Sequence, residues 1–319
     1  MRSRRAAGRG RTAWFGAASL RSLAFGDLRR RGVVPVVAVY ALLGAIGYVY
    51  LYPLLFMAVN SLKSLDDLLN SSVKWIPTAW YPDNYQRAAK VMGFWPVLGQ
   101  SLVAAALPAL AGTVAASVAG YGFARFRFPL RGLWFGLMLA TFVLPPQVTM
   151  IPEFLMYRRL GLIGSVASFI VPALLGQGLR AAVFILIFYQ FTRMLPKSME
   201  EAAVVDGAGP LKIFLEIFVP LSGPAFLVSF LFGFVWYWNE TYLASLYFQD
   251  TWKTLPLQLS RFVASYERMY PQGQNVRDRL NESIKMAGTV LTILPVLVIY
   301  IVLQRWFVEG VDRTGITGE

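Results

Sequence analysis

The sequence predicts an all-α integral membrane protein with six transmembrane helices. Three observations predict it. The 319 residues are 56% hydrophobic, with a mean hydropathy of +0.53, more than soluble domains reach. Charge-free runs recur along the chain at about the 20 residues a helix needs to cross a bilayer. The charged residues collect between those runs, with more basic residues on one side of the resulting topology than on the other.

Composition also excludes chemistries. There is no Cys and no His. That removes disulfides, thiol nucleophiles, histidine general bases and the usual zinc sites. The net charge of +13 invites a nucleic-acid partner, but nine Arg fall within residues 2–31 and the other basic residues are spread among loops.

In chain order, residues 1–32 are Arg-rich with one acid, Asp27. They read as a disordered cytoplasmic tail that orients the first span. Val33 to Leu62 carries no charge and is the first span. Lys63 to Lys90 is polar and lies outside, with Trp75, Trp80, Tyr81 and Tyr85 suited to an interface. Val91 to Ala124 is the second span, and its many Ala and Gly suit close helix packing. Arg125, Arg127 and Arg131 form a short inside loop. Gly132 to Pro152 is the third span, kinked at Pro145-Pro146, followed by an external amphipathic piece with Glu153, Arg158 and Arg159. Residues 165–193 are the fourth span, broken by Pro172, Gly176 and Gly178. Leu221 to Tyr247 is the fifth span, 248–283 an external polar loop, and Ile284 to Phe307 the sixth span. This topology has 17 basic residues inside and 11 outside, and it puts both termini in the cytoplasm. The domain division is a tail over 1–32, a six-helix transmembrane domain over 33–311 and a tail over 312–319.

Between the fourth and fifth spans lies Pro196 to Pro220, with six charges: Lys197, Glu200, Glu201, Asp206, Lys212 and Glu216. Such a segment lies outside the bilayer and meets something. Ser198 and Glu201 are spaced as a capping box, and Glu200 and Glu201 suit the first turn of a helix. Ala202 and Ala203 are small enough for close approach by a partner. Gly207 can take the positive φ that ends a helix, and Pro210 starts a new segment. Taken alone, these features also fit an ordinary capped helix-turn-helix at a membrane surface.

The full spacing carries more. Glu201-Ala202-Ala203, then Gly207, then Ile217-x-Val219-Pro220 resembles the EAA---G---------I-LP signature of permease subunits of ABC importers, with Val for Leu. Further runs resemble permeases of the carbohydrate importer family, which includes maltodextrin permeases. These are Y-G-F-A-R-F-R-F-P (121–129), L-P-P-Q-V-T-M-I-P (144–152), R-R-L-G-L-I-G-S (158–165), W-N-E (238–240), T-L-P-L-Q-L-S-R-F (254–262) and L-Q-R-W-F-V-E-G-V (303–311). The resemblance implies a type I importer permease fold with a cytoplasmic coupling helix, working as one of a permease pair in a bacterial or archaeal plasma membrane. It implies a second permease subunit, two ATPase subunits inside and an extracytoplasmic solute-binding protein outside. ATP and Mg would bind the partner ATPase, and this chain would bind no cofactor. The implied ATPase-coupling residues are Glu200, Glu201, Ala202, Ala203, Asp206 and Gly207. Two departures stand out. The family often ends in G-x-V-K-G, whereas this chain ends Gly315-Ile316-Thr317-Gly318-Glu319. The loop from Tyr266 to Lys285 is longer and more polar than the common sugar type, and is similar to the branch handling larger acidic or complex oligosaccharides.

Residues at membrane depth are candidates for a substrate pathway: Gln177, Arg180, Trp238, Asn239 and Glu240. A mid-bilayer arginine is costly unless it faces water, a partner or a ligand. Arg180 therefore meets either the substrate or a carboxylate on the paired permease. Trp238, Asn239 and Glu240 combine an aromatic face with amide and carboxylate groups, which suits sugar, though an interfacial aromatic belt explains them equally. A glycerol-phosphate or polyol permease of the same type is the alternative, and an ion-coupled secondary carrier a more distant one. The chain has no G-x-x-x-x-G-K-[ST] phosphate loop, so ATP chemistry belongs elsewhere. The missing His and Cys argue against a membrane enzyme.

Overall fold

The computed structural model describes residues 26–27, 30–31, 33–271 and 279–315. Apart from residues 26–27 and 30–31, the tail whose disorder is expected, part of the polar loop before Lys285, and residues 316–319 thus lie outside the described residues. Apart from one antiparallel pair of two-residue strands, Gly26–Asp27 with Arg30–Arg31, every described element is a helix. We number them α1 Val33–Asn60, α2 Leu65–Leu69, α3 Asp83–Met92, α4 Phe94–Arg125, α5 Arg131–Val143, α6 Pro146–Arg159, α7 Ala167–Leu174, α8 Ala181–Met194 and α9 Lys197–Val205. They continue as α10 Pro210–Leu221, α11 Gly223–Asn239, α12 Tyr242–Phe248, α13 Leu255–Ser260, α14 Phe262–Met269 and α15 Glu282–Gly315.

The long helix α4 is the central column, and α7, α8 and α11 pack along it. Its small residues make this possible: Ala104, Ala105, Ala109 and Ala116 are all buried, while Leu107, Leu110, Val114 and Val118 face away. Gly120 is the closest approach. A Cβ there would lie 2.6 Å from the Phe188 Cβ and 2.8 Å from the Ile185 carbonyl oxygen, so only glycine lets α4 and α8 touch backbone to backbone.

Two apolar clusters follow. One gathers Met92, Phe94, Tyr247, Phe248, Leu255, Phe262, Tyr266 and Ile284 at the end of the molecule that holds α3, α13 and α14. The other gathers Tyr121, Phe184, Ile185, Phe188, Phe218 and Ala225 near the opposite end of α4. The first is backed by a polar net. Lys63 is buried, and its Nζ donates to the carbonyls of Val73 and Lys74, both at 2.8 Å. Asn84 donates to the carbonyls of Ser61 and Lys63. The Asp67 carboxylate accepts from the backbone and hydroxyl of Thr78. Of the aromatics expected at an interface here, Trp75 and Trp80 are exposed and Tyr81 and Tyr85 are half-buried.

Among the described residues, three helices are long and apolar enough to cross a membrane alone: α1, α4 and α15. The expected third and fifth spans are not single rods. The pair α5 and α6 turns by 102°, and α10 and α11 turn by 75°. The first break is more than the kink expected at Pro145-Pro146. Proline disfavours α geometry in the residue before it, and both Leu144 and Pro145 are extended, at ψ 125° and 134°. After the turn, α6 takes in Glu153, Arg158 and Arg159, so no separate amphipathic piece follows. The fifth segment ends at Asn239, eight residues short of Tyr247, and α12 starts afresh at Tyr242. The sixth runs past Phe307 to Gly315. The fourth breaks between α7 and α8, as its Pro and Gly residues predict.

Candidate coupling site and membrane-depth residues

The EAA segment forms a compact helix. α9 starts at Lys197, with the extended Pro196 (φ −60°, ψ 128°) at its N-cap. The expected capping box between Ser198 and Glu201 does not form. Pro196 takes the cap two residues upstream, which leaves Ser198 inside the first turn. The C-terminal end matches expectation. Gly207 has φ +82°, the Ala208 N–H donates to the Ala203 carbonyl at 2.9 Å and the Gly207 N–H to the Val204 carbonyl at 3.0 Å. This is a Schellman end, which needs a residue free to adopt left-handed geometry.

α9 buries none of its side chains. Glu201, Ala202, Asp206 and Gly207 are exposed and Ala203 is half-buried. Val205 is 87% and Leu211 71% exposed, with Met199 and Val204 also open. Apolar side chains therefore surround the acidic face and the small residues. Glu200 differs from the other five. Its Oε1 accepts from Arg125 Nε at 2.7 Å, and Arg125 Nη2 donates to the Leu195 carbonyl at 3.0 Å. A cleft of about 450 Å³ lies beside this ion pair, lined by Tyr121, Arg127, Lys197, Glu201 and Ile213 among others.

The membrane-depth candidates are not gathered into one site. Arg180 is the left-handed residue (φ 52°) at the N-cap of α8, and its guanidinium lies over the Trp236 ring at 5.0 Å. Among the described residues no carboxylate pairs with it. Gln177 is exposed in the same break. The break is held by Tyr237, whose hydroxyl accepts from the Leu179 N–H at 3.0 Å. Trp238 is buried and stacks on Phe234. Asn239 donates to the Val235 carbonyl, and the Glu240 carboxylate accepts from the Leu243 N–H at 2.9 Å, capping α12. Both groups thus have local structural roles. Trp238 and Asn239 do line a groove of about 530 Å³ with Thr241, Ser260, Thr289 and Thr292. Sequence reasoning missed those hydroxyl residues, since lone Ser and Thr in apolar helices carry no signal of their own. It also missed Arg125 as a partner of Glu200, although a basic residue closing a long apolar helix was visible.

α9 thus lies as a short exposed helix between two groups of apolar helices. The family model described as "Binding-protein-dependent transport system inner membrane component" matches residues 111–313. The chain belongs to that family. Among relatives of this inner membrane component, the osmoprotective compounds uptake permease protein GgtD of Synechocystis sp. is 33% identical over 274 residues, covering 83% of this chain and 87% of its own. The lactose transport system permease protein LacG of Rhizobium radiobacter is 28% identical, covering 89% and 96%. A solved structure described as a bacterial ABC transporter involved in the import of the acidic polysaccharide alginate superposes with a TM-score of 0.68 at 23% identity, over 86% of this chain and 96% of that one. The fold is therefore that of an ABC importer permease, and the chain is a transport subunit.

Proposed function

We propose that this inner membrane component is one permease of an ATP-driven, receptor-dependent carbohydrate importer, and that α9 is its coupling helix. The observation that carries the reading is α9 itself. It is a short helix bearing the EAA segment, ended by a positive-φ glycine, with no buried side chain and with Val204, Val205 and Leu211 open beside it. An ATPase subunit would cover that surface, with Glu201, Ala202, Ala203, Asp206 and Gly207 at the contact. The ATPases would hold ATP and Mg. A second permease and an extracytoplasmic solute receptor would complete the complex. Six crossings would then run through α1, α4, α5 with α6, α7 with α8, α10 with α11, and α15, with both termini inside.

Carbohydrate as the substrate class rests on similarity to the lactose permease protein. It is supported by the uncharged groove of hydroxyls and amide beside Trp238. A glycerol-phosphate or polyol substrate is the second reading. Arg180 favours it, because an exposed guanidinium with no carboxylate partner among the described residues suits a phosphate.

The test is purification of the tagged chain from its native membrane in mild detergent, with co-purifying chains identified by mass spectrometry. An ATPase and a second permease are expected, and the solute bound to the co-purified receptor names the substrate. Recovery of this chain alone, still active in ion-driven uptake, would overturn the reading.

A further inference from the structure

The last turn of α4 touches the coupling segment on both sides of α9. On the incoming side, Arg125 reaches Glu200 of α9 and the carbonyl of Leu195, the residue that ends α8. On the outgoing side, the Tyr121 ring lies 5.2 Å from Phe214 and 4.8 Å from Phe218 of α10. Tyr121 and Arg125 are one helical turn apart, so both project from the same face of α4. The Arg125 side chain is 8% exposed and the Glu200 side chain 18%. Charge-assisted hydrogen bonds in such surroundings are shorter and stronger than neutral ones.

Short non-helical links join α9 to its neighbours on either side. Pro196 is extended, and Gly207 and Gly209 follow the helix. Without a clamp, α9 could shift on these links and leave the membrane helices where they are. We propose that Arg125 and Tyr121 are positioning residues that make α9 move as one body with α4, so that displacement of the coupling helix reaches the central column directly. α4 is suited to receive it, since α7, α8 and α11 all pack along it and Gly120 seats it against the α8 backbone. The inference rests on α9 being the coupling helix. Lysine cannot take the place of Arg125, because a point charge does not hold two acceptors in a fixed fork.

The chain has no Cys, which allows site-specific spin labels. Ser198→Cys on α9 and Val114→Cys on α4 are both exposed positions. The distance between the labels is measured in the assembled complex, with and without Mg-ATP. With Arg125 in place, a single narrow distribution that nucleotide leaves unchanged is expected. In Arg125→Gln the distribution should broaden about twofold and shift with Mg-ATP, while bound ATPase still hydrolyses it. Glu200→Gln should broaden it less, because the amide still accepts a hydrogen bond. If Arg125→Gln fails to insert, Glu200→Gln decides, because α9 buries no side chain and the fold does not depend on it. Distributions as narrow in both variants as in the parent overturn the clamp. ATPase retention unaffected by Glu201→Lys overturns the coupling reading instead, and it leaves the distance result standing.

Discussion

At the end of the molecule that holds α2, α3, α13 and α14, Met92, Leu255, Tyr266 and Ile284 are fully buried. The polar groups there find partners within the chain: Lys63 on two carbonyls, Asn84 on two more, Asp67 on Thr78. At the opposite end, α9 buries nothing and is held by one ion pair and one carbonyl contact, with a cluster of rings holding α10 beside it. The first end closes its buried polar groups on partners within the chain, while Trp75, Ile76 and Trp80 stay exposed at its surface. The second leaves Val204, Val205 and Leu211 in the open. Apolar surface removed from water stabilises by roughly 25 cal/mol per Å², and a chain covering α9 would add that burial.

The comparison can be broken by substitution at either end. The largest effect is expected from Gly207→Asp, which puts a side chain at φ +82° and costs about 1–2 kcal/mol at the helix end. Uptake should be lost while membrane insertion stays normal. Normal uptake at normal expression would separate α9 from coupling. Asn84→Ala is the counterpart at the closed end. It strands two buried carbonyls and should destabilise the detergent-solubilised protein by about 1–3 kcal/mol, read as a lower midpoint of thermal unfolding, with ATPase retention unaffected. Arg180→Ala should change uptake more than assembly. Loss of assembly with no other defect would assign Arg180 to the paired permease instead. The smallest effect is expected from Glu216→Ala. It removes only the exposed Lys212–Glu216 pair at 3.9 Å, a type of contact that contributes about 0–1 kcal/mol, and both uptake and stability should match the parent.

The sequence made some of this legible for clear physical reasons. Charge-free runs located α1, α4 and α15, because a bilayer allows no other way to place them. Gly207 was legible because helix ends with positive φ favour glycine. The 102° turn was not. A proline pair signals a break but does not fix its angle, which depends on what α5 and α6 pack against. The Arg125–Glu200 pair joins residues 75 positions apart, and a single sequence carries no record of such a pairing. Ser198 and Glu201 misled because a spacing rule cannot see that Pro196 has already taken the cap. Asn239 and Glu240 were candidates on residue type, and their hydrogen bonds to Val235 and Leu243 are local contacts that residue type does not reveal.

α1 has a further consequence for how the protein is made. Its apolar window is not buried by the rest of the chain, and its main neighbour is α15, the last helix described. During synthesis α1 leaves the ribosome long before α15 exists. It must therefore wait for its main helical neighbour, and its 28 residues without a charged side chain suit a helix exposed to lipid in that interval. The contact between the first and last described helices forms only once α15 has been made.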